Sequence, residues 1–346
     1  MQTLVARRSH LQLLQVHEPP LTSHSIKVRL HWSAMSFGTE HNTLAGQKTG
    51  AILKAGHYWR KALGLLRQTG SPARVLERYA KLKRGLSPLG YSAVGEVIAC
   101  GRRVNVPLPQ GTLVHVGGEY ASHADIVTVP QNFVFPLPEQ RGPIKPALSL
   151  ATIASVPIHA VLHARDCLPT SMTPSVLVVG GGIIGTFGGL FATSIGCRVS
   201  LFDTAPTTLA DAFLPRRSMG ERYDMILVCT PSMQGIETHL EAANEGCVLS
   251  VVGETPLQVD RGTLEDKYMT VRFCKSFGYG RGNKAYEFGC ADVDTSRFPH
   301  TLRANISRGL TLLDAKSSQL EGHINIMSPA DPQPRHDQVN IFKWNN

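Results

Sequence analysis

The 346-residue sequence lacks a long apolar run, a disulfide pattern and a metal-binding spacing of cysteines. A bilayer-spanning helix needs ~20 predominantly apolar residues, and the longest candidates, 175–179 and 183–191, are strand-sized or broken by glycine. The seven cysteines are odd in number, and their wide spacing excludes a disulfide framework and a zinc ribbon. Residues 1–15 lack the apolar core of a secretory signal. We therefore expect a cytoplasmic protein that does not enter a membrane.

Charge is also scarce outside one segment. The composition, 42% hydrophobic and 18% charged residues, is that of folded globular proteins and excludes disorder. The formal net charge is +9, and residues 48–84 contain ten Lys and Arg against one acid, Glu77. The rest of the chain is close to neutral, so the charge acts locally.

Residues 1–145 have the pattern of a β domain. Apolar residues alternate over 26–32, and short strands separated by Gly and Pro follow. Residues 45–85 are the exception, because their apolar spacing predicts two basic amphipathic helices inserted between strands. This region is predicted to be a compact β-barrel or sandwich.

Residues 146–315 alternate strands and helices instead, beginning with a helix predicted over 148–167. Alternation of this length predicts a parallel, doubly wound sheet. Residues 316–346 contain Pro-rich connections and one more strand, and we expect them to return to the first domain. The predicted fold class is α/β.

The strongest motif is the G-x-G-x-x-G of Gly180, Gly182 and Gly185, which directly follows the apolar strand 176–179 and opens a helix. These glycines allow a tight turn, a close approach of the backbone to a pyrophosphate, and close packing of helix on strand. Asp203 ends the next strand, where its carboxylate is expected to accept hydrogen bonds from ribose hydroxyls and to repel a 2′-phosphate. The motif therefore predicts a dinucleotide site that prefers NAD(H).

NADP(H) stays an alternative cofactor. Arg216 and Arg217 are available for a 2′-phosphate, but they lie 13 residues or more beyond the predicted strand end. The residues directly after Asp203 are Thr204 and Ala205, which are not basic. NAD(H) is therefore favoured, with NADP(H) as the alternative.

Several motifs along the chain resemble the medium-chain dehydrogenase/reductase superfamily. They are SFGTE (36–40), PLGYSAVGEVIACG (88–101), SVPIHAVLHA (155–164), the glycine motif, CTPS and CVLSVVGE. The basic segment and KSFGYGR (275–281) are similar to a zinc-lacking branch that includes the dehydrogenase half of two-domain oxidoreductases linked to polysaccharide synthesis. The resemblance implies a GroES-like β-barrel domain followed by a Rossmann domain. It implies a cofactor site of Gly180, Gly182, Ile183, Ile184, Gly185, Asp203, Thr204, Cys229, Thr230, Pro231 and Gly253.

The catalytic zinc ligands of the superfamily are replaced in this sequence. Phe37 and Tyr91 stand where zinc members have Cys and His, and Val156 stands at the position of a ligand Glu. These side chains do not bind Zn²⁺ as thiolate, imidazole and carboxylate do. The structural four-cysteine lobe is missing as well, so no metal is expected.

Without zinc, the protein must supply a proton donor or acceptor for the substrate oxygen. The resemblance places Tyr91 and Thr39 beside the missing metal, and Glu40 is a further relay candidate. His159, on the predicted helix, is another candidate because the ordinary imidazole pKa is ~6.5. A packed, hydrogen-bonded role stays the alternative for Tyr91 and His159.

The basic segment suggests an anionic substrate, because clustered cations bind phosphate and carboxylate groups. The candidate anion-binding residues are Lys275, Arg281, His57 and Arg60. A solvated basic helix face is the alternative. Binding to nucleic acid is not expected, since few aromatic residues interleave the charges. Relatives of this fold form dimers or tetramers, and we expect a homodimer or homotetramer.

These features predict a zinc-independent, NAD-dependent dehydrogenase that interconverts a secondary alcohol and a ketone on an anionic small molecule. A phosphorylated, carboxylated or nucleotide-linked sugar or cyclitol would fit. One alternative is a reductase of activated C=C bonds in enones or quinones. Another is a non-catalytic nicotinamide-binding sensor with a basic interaction surface.

Overall fold

A computed structural model describes most of the chain. It covers residues 1–7, 10–36, 38, 40, 86–139, 142–230, 236–253, 255, 259–274, 276–335 and 337–344. The predicted basic insert, 45–85, lies outside the described residues, as do the site candidates Thr39, His57, Arg60, Pro231 and Lys275.

The described residues form fifteen strands and seven α-helices. The strands are β1 (Gln2–Arg7), β2 (His10–Gln15), β3 (Ser25–Ala34), β4 (Leu86–Pro88), β5 (Ser92–Cys100), β6 (Leu113–Gly117), β7 (Ile126–Pro130), β8 (Val134–Pro136), β9 (Ser175–Val179), β10 (Arg198–Phe202), β11 (Tyr223–Val228), β12 (Ala243–Val252), β13 (Thr270–Cys274), β14 (Ile324–Met327) and β15 (Val339–Lys343). The helices are α1 (Ala151–Arg165), α2 (Ile183–Ser194), α3 (Thr208–Asp211), α4 (Ile236–Glu241), α5 (Arg261–Asp266), α6 (Lys284–Glu287) and α7 (Leu302–Leu320).

The first part of the chain forms two sheets with largely antiparallel pairing. Strand β3 is the centre of a seven-stranded sheet of order β14-β15-β3-β5-β6-β8, and β7 also pairs with β3. Its alternating residues Ile26, Val28 and Leu30 are fully buried, because successive side chains of a strand point to opposite faces. Strands β2, β1 and β4 form a small second sheet. The last two strands, β14 and β15, lie in the seven-stranded sheet beside β3.

The middle of the chain forms a five-stranded parallel sheet of order β10-β9-β11-β12-β13. Strand β9 is buried along its whole length, as expected for a strand covered on both faces. From β9 the chain moves first to β10 on one side and then to β11 on the other. Such a switch point opens a crevice at the carboxyl ends of the strands, where doubly wound folds bind ligands.

Helix α1 is the longest apolar helix among the described residues. It begins after a 3₁₀ turn (Pro146–Leu150), so the predicted helix over 148–167 is shorter at both ends than expected. The stretch Pro146–Arg165 is long and apolar enough to cross a membrane. The sequence analysis did not identify it as an apolar run, because Ser, Thr and His interrupt it. In the structure 83% of it is buried, against α2, α7, β12 and β13. Burial inside the protein therefore accounts for its hydropathy.

The buried His115 of β6 should make stability depend on pH. Burial removes its ring from water and lowers its pKa to about 3, although the bond that Nδ1 donates to the Leu148 carbonyl (3.1 Å) acts in the opposite direction. The neutral ring accepts a hydrogen bond from the Thr152 hydroxyl at Nε2 (2.8 Å). The unfolded chain takes up a proton near pH ~6.5 and the folded chain does not. The free energy of unfolding should therefore fall below that pH, with His115 contributing up to about 1.4 kcal/mol per pH unit. Urea unfolding of the wild type and of His115→Gln between pH 7 and pH 5 measures this, and equal slopes in the two proteins would contradict it.

Candidate functional site

Four consecutive strands of the parallel sheet end at one edge with predicted site residues. The glycine-rich turn follows β9, Asp203 and Thr204 follow β10, Cys229 and Thr230 follow β11, and Gly253 follows β12. The structure thus brings together all the predicted cofactor residues that it describes. Burial raises the pKa of the Cys229 thiol, so this cysteine is a packed residue and not a nucleophile.

The three glycines of the turn have different environments. Gly180 has φ +103°, and a Cβ there would lie 3.0 Å from the backbone of Cys229. A Cβ on Gly185 would lie 1.9 Å from the Gly180 carbonyl oxygen, so helix α2 packs directly on the turn. Gly182 is the N-cap of α2 and has no atom within 4 Å of its Cβ position. The turn therefore leaves open space in front of a helix N-terminus, as a dinucleotide pyrophosphate requires.

Asp203 holds this turn from the neighbouring strand. Its Oδ2 accepts a hydrogen bond from the Gly181 amide (2.6 Å), and its Oδ1 accepts one from the Ala205 amide (3.1 Å). Each oxygen of an ionised carboxylate has a second acceptor site. The carboxylate can therefore keep these bonds and still accept bonds from ribose hydroxyls.

Arg216 lies at the same strand end as Asp203, although 13 residues separate the two in sequence. Its Nη1 donates to the Asp203 carbonyl at 3.2 Å. The reason is that residues 215–217 run alongside β10, a pairing that the sequence distance does not reveal. Arg217 points elsewhere, and its Nη1 donates to Nδ1 of His239 at 3.0 Å.

A second cluster lies in the seven-stranded sheet and includes the predicted residue Glu40. Glu40 is 2% exposed, and its carboxylate accepts hydrogen bonds from Nε2 of His123 (3.1 and 3.2 Å) and from the Ser36 amide (3.2 Å). His123 Nδ1 lies 2.8 Å from Ser33 Oγ, and Trp344 Nε1 donates to the same oxygen at 2.9 Å. Glu40 is thus buried and bonded to protein groups. Its predicted catalytic role stays a prediction, and this position suits a positioning residue.

The end groups of this chain of hydrogen bonds fix part of its direction. The Trp344 indole can only donate, so Ser33 Oγ accepts there, and the hydroxyl still has both a hydrogen and a second lone pair for His123 Nδ1. At the other end, His123 Nε2 bonds to the Glu40 carboxylate. The sequence offered no signal for His123 or Trp344, because both partners are distant in sequence.

Gly90, which precedes Tyr91, packs directly on His123. Gly90 has φ +90°, and a Cβ there would lie 2.6 Å from the His123 nitrogen and 2.8 Å from its ring Nδ1. Tyr91 is half-buried at the start of β5, and the next residue, Ser92, accepts from the Thr152 amide of α1 (3.2 Å). The chain of hydrogen bonds around His123 therefore supports the turn that carries Tyr91 and connects it to Glu40.

His159 lies seven residues beyond Thr152, about 10 Å further along α1. Its Nδ1 donates to the Ser276 carbonyl (3.2 Å), while its buried Nε2 has no hydrogen-bond partner among the described residues. Burial lowers the pKa of His159 to about 4, so the ring is neutral at pH 7. Its Nε2 is therefore a buried acceptor. Ser92, the neighbour of Tyr91, thus bonds to the start of α1 at Thr152, whereas His159 lies further along the same helix and bonds to Ser276.

Arg281 is the predicted anion-binding residue that the structure describes. Its guanidinium lies over the Phe277 ring, 5.2 Å from the centroid, and has no carboxylate partner in the described part of the chain. Beside it, Lys284 Nζ donates to Glu119, Glu287 (both 2.8 Å) and the Tyr120 hydroxyl (2.5 Å). This ionic cluster, which the sequence did not indicate, joins the loop after β6 to α6 and lines a small cavity with Arg281.

The described residues contain no group of three or more His, Cys, Asp or Glu side chains that could hold a metal ion. Tyr91 and Val156, at two positions that the resemblance assigns to zinc ligands, offer a phenol and an aliphatic side chain. These residues do not fit a catalytic zinc. Phe37, at the third position, lies outside the described residues.

Comparison with protein-family models and with curated protein sequences gives no match. Comparison of folds gives matches over the full chain. Alcohol dehydrogenase TADH from Thermus sp. ATN1 has a TM-score of 0.68 at 16% identity, covering 99% of both chains. Galactitol-1-phosphate dehydrogenase from Escherichia coli has a TM-score of 0.65 at 16% identity, covering 94% of this chain and 92% of that one. TarJ from S. aureus in complex with NADPH has a TM-score of 0.63 at 14% identity, covering 100% and 99%.

At identities this low, the likeness establishes the fold. The chain has the fold of the zinc-type alcohol dehydrogenase-like enzymes of the medium-chain dehydrogenase/reductase superfamily, with a GroES-like and a Rossmann part. The predicted resemblance and fold class are thereby confirmed. The predicted domain limits, site residues and zinc independence stay predictions.

Removing His123 should destabilise the protein strongly. His123→Ala leaves the buried Glu40 carboxylate without its main partner, and breaking a buried pair in this way costs about 3–5 kcal/mol of unfolding free energy. Glu40→Gln keeps an acceptor for His123 and should cost less. Urea unfolding at pH 7 measures both variants, with His17→Ala, at an exposed histidine, as the control. A loss below about 1 kcal/mol in His123→Ala would contradict the buried pair.

Proposed function

We propose that this protein is a zinc-independent, NAD-dependent dehydrogenase that interconverts a secondary alcohol and a ketone on an anionic small molecule. The observation that carries the proposal is the glycine-rich turn, which is closely packed at Gly185 and open at Gly182. Asp203 beside it supports NAD(H) as the preferred cofactor. The dehydrogenases of the same fold support the type of reaction.

A bound nicotinamide would accept or donate the hydride. The amides at the start of α2 would bind the pyrophosphate, because a helix N-terminus favours negative charge. Asp203 would bind the ribose hydroxyls. Among the described residues, two groups are candidates for the proton of the substrate oxygen: the Tyr91 hydroxyl, next to the glycine that packs on His123, and the neutral Nε2 of His159.

An anionic substrate is supported by three features. Arg281 has no carboxylate partner in the described chain, so its guanidinium is available for a phosphate or carboxylate. The segment 48–84 carries ten basic residues. One enzyme of the same fold is named for a phosphorylated polyol, galactitol 1-phosphate.

The glycine turn gives a test that separates stability from cofactor binding. Gly182→Ala should leave the unfolding free energy within about 1 kcal/mol, since its φ of −66° suits alanine and no atom lies near. Its methyl group would occupy the pyrophosphate space and weaken NADH binding roughly tenfold or more. Gly185→Ala, the matched control, should destabilise the fold by about 1–3 kcal/mol through its clash with Gly180.

Fluorescence titration with NADH and NADPH, together with urea unfolding, measures these effects on chelator-treated protein. Tight binding of NADH by the wild type and its loss in Gly182→Ala are the expected results. Binding of neither nucleotide by the folded wild type would reject the proposed function.

The proton-transferring residue can be identified from turnover. Tyr91→Phe should lower kcat by roughly 10²–10⁴-fold, the usual contribution of a positioned acid or base, without weakening NADH binding. Tyr268→Phe, at an exposed tyrosine, is the control. The assay would use NAD⁺ with phosphorylated and carboxylated polyols and their neutral counterparts.

If Tyr91→Phe turns over normally, the role moves to His159 or Thr39. If His159 is the residue, the acidic limb of the pH–rate profile should inflect near pH 4, where burial places the His159 pKa, and not near its ordinary value. Reduction of enones or quinones with no activity on alcohols would instead support the reductase alternative.

A further inference from the structure

Arg216 is fixed at the end of β10 by backbone pairing and by its own side chain. The Leu201 amide donates to the Pro215 carbonyl (2.8 Å), and the Arg217 amide donates to the Leu201 carbonyl (2.8 Å). These bonds hold the segment 215–217 against the strand. Arg216 therefore lies beside Asp203 although 13 residues separate them in sequence.

All three guanidinium nitrogens of Arg216 are engaged. Nε and Nη2 donate to the two carboxylate oxygens of Asp211, at 2.5 and 2.8 Å. Nη1 and Nη2 also donate to the carbonyls of Asp203 (3.2 Å) and Ala205 (3.0 Å). Asp211 is itself held, because its Oδ2 accepts from the Thr207 amide at 2.9 Å. The ion pair lowers the pKa of Asp211, so the carboxylate stays ionised at neutral pH.

This pair lines an open cavity of about 510 Å³ next to the glycine turn. The cavity lies where a fold of this type places the adenosine ribose, beside the acidic residue that ends the second strand. Its charged lining residues are Asp203, Asp211 and Arg216, which together carry one net negative charge. A 2′-phosphate carries a charge of about −1.5 to −2. In this cavity it would lie beside Arg216, whose charge Asp211 already neutralises, and beside the Asp203 carboxylate.

We propose that Asp211 determines the preference for NAD(H) over NADP(H) by keeping the Arg216 guanidinium in a bidentate ion pair. The inference rests on the proposed function. Arginine is the residue that accommodates a 2′-phosphate in sites of this type, and its planar fork matches phosphate as well as carboxylate. In this protein the fork is occupied by Asp211. A phosphate would have to displace that carboxylate while lying beside Asp203.

Asp211→Asn tests the inference directly. The asparagine keeps an acceptor for the Thr207 amide but loses the charge that holds Arg216. The dissociation constant for NADPH should fall roughly tenfold or more, since charge-assisted hydrogen bonds to phosphate become available. The gain should shrink at high salt, because the cavity is open to solvent. Fluorescence titration with NADPH and NADH measures both affinities without any turnover.

Two controls make the result specific to Arg216. In Asp211→Asn combined with Arg216→Gln, the gain in NADPH affinity should disappear. Glu237→Gln is the second control, because it removes a negative charge from α4, a helix that contacts β10 through His239 and Phe202. Glu237 is not a partner of Arg216, so we expect no gain in NADPH affinity.

Three outcomes would overturn the inference: unchanged NADPH affinity in Asp211→Asn, a gain that survives the loss of Arg216, or an equal gain in Glu237→Gln. Arg216→Gln alone gives an independent measurement. It should not weaken NADPH binding by the otherwise native protein, and a large loss would show that Arg216 already binds the phosphate. In each of these cases the wild type still binds NADH and the proposed function stands, whereas a wild type that binds neither nucleotide rejects the proposed function itself.

Discussion

The attachment of helix α1 to both sheets is the constraint on which the candidate site depends. At its beginning, Ser92 and His115 of the seven-stranded sheet bond to Thr152, and Ser92 also donates to the Ser149 carbonyl. Further along, Ser250 of β12 donates to the Ala160 carbonyl, at 3.3 Å. These bonds form inside a buried region, where an unsatisfied polar group costs about 1–3 kcal/mol. The position of one sheet relative to the other is therefore held by buried hydrogen bonds to the same helix.

This attachment places both candidates for proton transfer, Tyr91 and His159, relative to α1. Tyr91 directly precedes Ser92, so the bond from Ser92 to the helix also places the tyrosine. His159 is placed by the opposite sheet, through the Ser276 carbonyl. The cofactor turn belongs to that same sheet. The proposed reaction needs the nicotinamide and the proton donor at fixed relative positions. It therefore relies on α1, the helix that connects the two sheets.

The parts that were predictable from sequence are local, and the parts that were missed depend on distant contacts. The glycine turn and Asp203 lie within about thirty residues, and backbone geometry alone requires glycine at Gly180 and Gly185. The position of Arg216 was not evident from the sequence, because a pairing at the sheet edge returns it to β10. His123 and Trp344 could not be found, since Trp344 bonds to Ser33 across 311 residues. A pattern within a short window carries no information about such partners.

The chain of hydrogen bonds that ends at Glu40 also bears on the proposed zinc-independent chemistry. In a zinc site, the metal neutralises nearby negative charge and polarises the substrate oxygen. Here the Glu40 carboxylate is stabilised by His123 and the Ser36 amide, while the residue at the zinc-binding histidine position is Tyr91. Because Nε2 of His123 bonds to Glu40 and Nδ1 bonds to Ser33, neither ring nitrogen is available to a substrate. Polarisation of the substrate oxygen in the proposed reaction therefore falls to a group outside this network, and Tyr91, which follows the glycine packed on His123, is the proposed one.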